Sequence, residues 1–124
     1  MRCLTSLNQP KDFTALLSQR PVATAGPFVL HLTPRLVDST LVPPGPRLGM
    51  VLPKRMIRRA VARNQIKRWI RPLACLVLEG HSVDLLVGVR GPLNLKDPSA
   101  KQRHKEELAL TFSKIADRLG VADA

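Results

Sequence analysis

The feature that most constrains this chain is a strongly basic amphipathic segment in its middle. Residues 54–71 carry eight Lys and Arg side chains and no acidic residue. When residues 59–71 are placed on a helix at about 100° per residue, the apolar side chains share one stripe and the basic ones occupy the remaining arc. The stripe consists of Ala62, Ile66, Trp69, Ile70 and Leu73. Because an apolar stripe must be buried against another layer, the segment predicts a helix packed on a sheet with its cationic face outward.

The segments on either side of this helix predict the sheet and two more helices. Apolar periodicity and the placement of Gly and Pro indicate a helix over 10–19, strands over 22–25, 27–33, 47–52 and 83–89, and a closing helix over 99–119. Four prolines within residues 34–46 are typical of a loop. Ser99 is expected to cap the closing helix and Gly120 to end it. The order of these elements predicts a sheet covered by helices.

The length of 124 residues favours one domain, residues 1–124, with short flexible termini. No apolar run reaches the roughly 18–20 residues of a membrane span, and the first residues lack the apolar core of a secretory signal. Two cysteines are too few for a disulfide scaffold or a four-ligand zinc site, so Cys3 is expected to be a surface thiol and Cys75 a small packed side chain. The sequence therefore predicts a cytoplasmic protein.

The charge indicates the kind of partner. The chain has 20 Lys and Arg against 9 Asp and Glu, a net charge of +11, and basic side chains that neutralise phosphates release condensed counterions. Like charges on the basic helix repel one another at i,i+4 spacing, and a bound polyanion would relieve that repulsion. Arg binds phosphate oxygens bidentately, and the amide of Asn64 can read a base edge or a ribose hydroxyl. RNA is thus favoured over two alternatives, an anionic membrane surface and a solvated basic face without a partner.

The chain shows no recognisable catalytic group. Its 9 acidic residues are scattered, whereas two-metal phosphoryl chemistry needs clustered carboxylates. His81 and His104 stand alone and are expected on the surface. Any chemistry is therefore expected to belong to a partner.

One set of motifs resembles a known family. The motifs are Leu48-Gly49-Met50, Lys54-Arg55, Arg59-Ala60 and the run Arg63-Asn64-Gln65-Ile66-Lys67-Arg68-Trp69-Ile70-Arg71. Together they are similar to the signature of the bacterial ribonuclease P protein subunit. The resemblance extends to residues 11–13, 28–31 and 84–90 and spans residues 4–119.

The resemblance implies a small α+β sandwich of order α-β-β-β-α-β-α, ribosomal-protein-S5-domain-2-like. It implies a protein subunit that binds a catalytic RNA and the 5′ leader of precursor tRNA, and that promotes endonucleolytic removal of the leader while the RNA performs catalysis. The implied RNA-binding residues are Lys54, Arg55, Arg58, Arg59, Arg63, Asn64, Lys67, Arg68 and Arg71, and the implied leader cleft contains Phe13, Leu17 and His31. The protein alone is expected to bind no cofactor and the holoenzyme to use Mg²⁺, with no membrane and no further protein partner required.

Several residues of the basic helix depart from the family pattern, among them Gln65 and Pro72. Gln65 stands where a second Arg is usual, which removes one phosphate contact. Pro72 stands where Glu is common, and a proline inside a helix removes a hydrogen bond and costs about 3 kcal/mol or more, so the helix should kink or end near Arg71. In the strand over 27–33, alternation puts Phe28 and His31 on opposite faces. Only one of them can face the cleft, and His31 is favoured.

Three functions are compatible with these features to different degrees. The first is a protein subunit of ribonuclease P. The second is a structured-RNA-binding protein of the ribosomal type without a processing role, which has the same electrostatics and is separated from the first only by the motif. The third is an autonomous metal-dependent nuclease, which the scattered carboxylates disfavour.

Overall fold

The elements follow the predicted order along the chain. The computed structural model describes residues 5–7, 10–34, 46–79, 83–91, 93 and 95–123. Its elements are β1 (Thr5–Ser6), α1 (Pro10–Leu17), β2 (Ala23–Ala25), β3 (Phe28–Pro34), β4 (Arg47–Val51), α2 (Ala60–Leu78), β5 (Val83–Val89) and α3 (Pro98–Asp123). The order α-β-β-β-α-β-α is confirmed and is preceded by the two-residue strand β1. Most of the loop expected over 34–46, and the expectations for Cys3 and His81, lie outside the described residues.

One five-stranded sheet organises these elements, in the order β1-β4-β5-β3-β2. β4 lies parallel to both β1 and β5, whereas β3 runs antiparallel to β5 and β2. The parallel pair β4 and β5 is connected through α2, as a parallel pair requires a crossover. β2 and β3 are joined by Gly26 and Pro27, and Gly26 has the positive φ of 56° that suits the first position of a tight hairpin turn.

β5 is buried on both faces, and its two faces belong to two different apolar clusters. Leu85 joins Phe28 of β3 in the main core, which lies beneath α2 and α3. Leu86 points the other way and packs with Leu16 beneath α1. The register of β3 follows the same alternation, since His31 pairs with Leu86. The expectation that Phe28 and His31 lie on opposite faces is therefore confirmed.

α2 continues past its proline, so of the two alternatives predicted near Arg71 the end of the helix is wrong, whereas the kink stays a prediction. The helix runs to Leu78 with Pro72 inside it. Pro72 is exposed, and Ala74 and Leu78 beyond it are fully buried. The burial of the last turns offsets the missing hydrogen bond, and solvent can reach the backbone on the exposed side of the helix.

Both ends of α3 also differ from the expectation. The side chain of Asp97 accepts a hydrogen bond from the backbone N–H of Ala100 at 3.2 Å, so Asp97 and not Ser99 caps the helix. At the other end the helix passes through Gly120 and reaches Asp123. A glycine inside a helix costs only about 1 kcal/mol relative to Ala, and it does not by itself end one.

His104 is buried, which corrects the expectation that it lies on the surface. It is 4% exposed. Its ring meets Phe28 edge to face with the ring centroids 6.4 Å apart, and its Nδ1 lies 2.8 Å from Glu107 Oε1. The sequence signal for the contact between His104 and Glu107 was their spacing of three residues on one helix. Cys75 is half-buried on α2.

Candidate nucleic-acid interface

α2 presents one face to the core and the other to solvent. Ile66 and Ile70 are completely buried in the main core. Ala62, Trp69 and Leu73 are partly buried against the same cluster. The apolar stripe expected from the sequence is confirmed, and it fixes which side chains of the helix point outward.

The outward side of α2 and the turn before it form one basic surface. Seven of its residues are exposed, namely Lys54, Arg55, Arg58, Arg59, Asn64, Arg68 and Arg71, and two are half-buried, namely Arg63 and Lys67. No acidic residue interrupts this stretch of the sequence. We call these nine residues the basic surface. The structure brings all of them to the start and outer side of one helix.

The start of α2 is suited to an anion. The backbone of Arg59, the N-cap residue, is extended, and within the described residues its side chain makes no capping hydrogen bond. The first turn contains no acidic residue. Because the N-terminus of a helix carries partial positive charge and free N–H groups, basic side chains there are unfavourable and a phosphate is favourable.

Arg63 has a structural role that the sequence did not reveal. Its Nη1 donates hydrogen bonds to the carbonyl oxygens of Ile57 at 2.8 Å and of Arg58 at 3.1 Å. Ile57 is buried in the main core. Arg63 thus holds the segment that enters α2 and positions Arg58 and Arg59. Part of its hydrogen-bonding capacity is already used within the protein.

The three expected cleft residues lie on or beside the opposite face of the sheet, around α1. Phe13 is half-buried and packs on the cluster that contains Leu86. Gly49 leaves room for this contact, since a Cβ at that position would come within 3.0 Å of the Phe13 ring. Leu17, in the last turn of α1, is 51% exposed.

His31 is the most buried of the three, at 4% exposed. Burial lowers the pKa of its ring below 6.5, a hydrogen bond with the backbone of Gln19 opposes that shift, and the charge of Arg90 adds to it. Its Nδ1 has no hydrogen-bond partner among the described residues. The side-chain oxygen of Gln19 also accepts a hydrogen bond from Thr33 at 2.8 Å. Gln19 therefore ties the end of α1 to β3 above His31.

An ion pair on the same face was not foreseen from the sequence. The Nε and Nη2 atoms of Arg47 donate to the two carboxylate oxygens of Asp84 at 2.8 and 2.7 Å. Arg47 and Asp84 are register partners on β4 and β5, and Asp84 is buried. An acidic residue within an otherwise apolar strand was the signal, because a buried carboxylate is almost always paired.

Comparison with known proteins identifies this arrangement. The family model for Ribonuclease P matches residues 1–115. The chain belongs to the ribonuclease P protein family. The ribonuclease P protein component of Bordetella avium is 38% identical over 115 residues, which cover 89% of this chain and 90% of that protein. The ribonuclease P protein component of Nitrosomonas europaea is 30% identical over 118 residues, covering 91% and 88%.

Solved structures agree on the fold. The ribonuclease P protein of Staphylococcus aureus superimposes with a TM-score of 0.57 at 22% identity, covering 94% of each chain. The resemblance noted in the sequence and the fold expected from it are confirmed. As a ribonuclease P protein component, the chain has a role in the processing of tRNA 5′ ends, and a structured-RNA binder without such a role is not favoured. No helix within the described part of the chain is long and apolar enough to cross a membrane.

Proposed function

We propose that this ribonuclease P protein component binds the catalytic RNA subunit through the basic surface and the 5′ leader of precursor tRNA through the face beneath α1. One observation carries the proposal: the two surfaces lie on opposite sides of the sheet, since α2 covers the Leu85 side whereas Phe13 and His31 lie on the Leu86 side. The two RNAs therefore do not compete for the same side chains. The assembly is proposed to act in the cytoplasm.

The side chains around α1 are proposed to have two roles in leader binding, contact with the bases and support of the contact surface. Leu17 is exposed and the ring of Phe13 is partly so, and both offer apolar surface to an unpaired base. Stacking of a base on an aromatic ring contributes about 1–3 kcal/mol without a sequence requirement. His31 lies beneath the end of α1 and would support this surface from below.

The cleavage step is proposed to belong to the catalytic RNA. Asp84 is engaged by Arg47, and Glu107 by His104. Among the described residues, no three His, Cys, Asp or Glu side chains are grouped so that they could hold a metal ion. These residues do not fit a protein-bound Mg²⁺, so the proposal assigns the Mg²⁺ of the holoenzyme to the RNA.

The protein's contribution would then be electrostatic and positional. Catalytic RNA and precursor tRNA are both polyanions that repel each other, and either Mg²⁺ or a chain with a charge of +11 can offset that repulsion. A leader bound to the same protein is tethered to the complex, which raises its effective concentration at the cleavage site.

Reconstitution with the catalytic RNA tests the proposal. Adding the protein should accelerate cleavage of precursor tRNA at low Mg²⁺, the gain should shrink as Mg²⁺ rises, and the protein alone should cleave nothing. A protein that binds the catalytic RNA without changing cleavage would support the structured-RNA-binding alternative. Cleavage by the protein alone would overturn the assignment of catalysis to the RNA.

A further inference from the structure

The side of α2 that faces α3 carries an aromatic ring beneath a lysine. Trp69, the single Trp of the chain, is partly buried against the core. The Nζ of Lys105 on α3 lies over its ring, 5.5 Å from the centroid. Packing of the core accounts for the buried edge of Trp69. Core packing does not explain why the ammonium group of Lys105 lies over the other face of the Trp69 ring.

α3 carries basic side chains on two sides, with Arg103, Lys114 and Arg118 on the side away from Lys105. Lys101 lies one turn before Lys105 on the same flank, which faces α2, because residues four apart share a side of a helix. The acidic side chains of residues 98–119 point elsewhere. Glu106 and Asp117 are exposed and lie about a third of a turn away on the wheel, at about 100° per residue. Glu107 contacts His104 at the β2–β3 side.

α2 continues this charge pattern without an acidic interruption. On its wheel, Gln65 lies between Arg68 and Trp69. Helices that pack together have axes about 8–10 Å apart, so Lys105 lies within reach of a strand of RNA that rests on α2. Besides Gln65, the exposed side chains of Val61, Pro72 and Leu76 lie between Arg68 and Trp69 on this wheel, and none of them is acidic.

We propose that Lys105, held on Trp69, extends the basic surface from α2 onto α3 and contacts the phosphate backbone of the catalytic RNA. The inference rests on the proposed function. A lysine already confined by an aromatic ring loses less side-chain freedom when it binds a phosphate than a lysine free in solution does. Its ammonium group keeps donors directed away from the ring.

Lys105→Gln and Lys114→Gln make a matched pair for the test. Both remove one positive charge from α3, but Lys114 lies on the other flank, where its Nζ donates to the carbonyl of Thr24 at 3.2 Å. Catalytic RNA is titrated with each protein over a series of salt concentrations. Lys105→Gln should reduce the slope of log affinity against log salt by about 0.7–0.9. Lys114→Gln should leave the slope unchanged. Equal slopes for wild type and Lys105→Gln, or an equal loss in both variants, overturn the inference.

Fluorescence of Trp69 gives a second, independent measurement. Acrylamide, a neutral quencher, should quench the free protein more strongly than the complex, because RNA on this surface shields the ring. If the RNA binds with the expected salt dependence and quenching is unchanged, the inference fails while the proposed function stands. If the protein does not bind the catalytic RNA at all, the proposed function itself fails.

Discussion

Replacing Arg63 with Ala should lower both the stability of the protein and its affinity for the catalytic RNA, whereas Arg68→Ala should lower the affinity alone. Both residues belong to the basic surface, but only Arg63 is bonded to the carbonyl groups of the segment that enters α2. Arg68 is exposed on the outer side of the helix. The pair separates a structural contribution from an RNA contact within one motif.

The magnitude follows from the geometry around Arg63. A hydrogen bond to a charged group contributes about 1.5–3 kcal/mol. The bond to Ile57 is partly buried and the bond to Arg58 is exposed, so the second adds little. We expect Arg63→Ala to lower the free energy of unfolding by about 2 kcal/mol, which for a chain of this size lowers the melting temperature by roughly 5–10 °C. Arg68→Ala should stay within about 0.5 kcal/mol of wild type.

Thermal unfolding followed by circular dichroism measures the first effect, and RNA titration over a salt series measures the second. Each variant should lose about 0.9 or less from the log–log salt slope. Arg63→Lys is a useful control, because its ammonium can keep one carbonyl contact but not the fork of a guanidinium. Equal melting temperatures for the two alanine variants would refute the structural role of Arg63. An unchanged salt slope in both would refute the basic surface.

Four further predictions concern single positions. Pro72→Ala should raise the free energy of unfolding by about 1–3 kcal/mol, since an N–H is restored to α2, and an unchanged urea midpoint would contradict this. Gly26→Ala should lower it by about 1–3 kcal/mol, because of the positive φ and a clash with Glu107, which a melting curve tests. His31→Leu should flatten the pH dependence of the free energy of unfolding. In the wild-type protein the imidazole of the unfolded chain takes up a proton near pH 6.5, whereas the buried ring takes one up only at lower pH. The free energy of unfolding therefore falls as the pH drops below 6.5. If wild type and variant show the same pH profile, His31 is not the group responsible. Phe13→Ala should weaken the preference for precursor over mature tRNA and spare binding to the catalytic RNA, and a parallel loss of both affinities would count against the cleft.

Local patterns in the sequence were enough for every element except β1, although not for the ends of α2 and α3, and for the orientation of the side chains. The stripe on α2 and the alternation that separates Phe28 from His31 are both set by the period of a helix or a strand. The sequence predicted the stripe and the alternation correctly because burial constrains every residue of a repeating pattern. The full set of nine residues in the basic surface was what the family resemblance implied, since Lys54, Arg55 and Arg58 precede the helix. Their contacts with RNA stay a prediction.

Features that depend on two distant segments could not be read in this way. The continuation of α2 past Pro72 depends on the burial of Ala74 and Leu78 in the core. The roles of Arg63 and Asp84 depend on which groups the folded chain brings beside them. At the start of α3, Asp97 and Ser99 are both residues that cap helices, and the position of the first helical turn decides between them.

The uncapped, acid-free start of α2 has a consequence for how salt acts on this protein. In the free chain the basic side chains repel one another and the helix dipole, so added salt should screen that repulsion and stabilise the fold. In the complex the same salt competes with the side chains for the phosphates and weakens binding. Bound RNA itself stabilises the folded chain. Salt therefore acts in opposite directions on the two states, and the free protein is most stable under the conditions in which it holds RNA least.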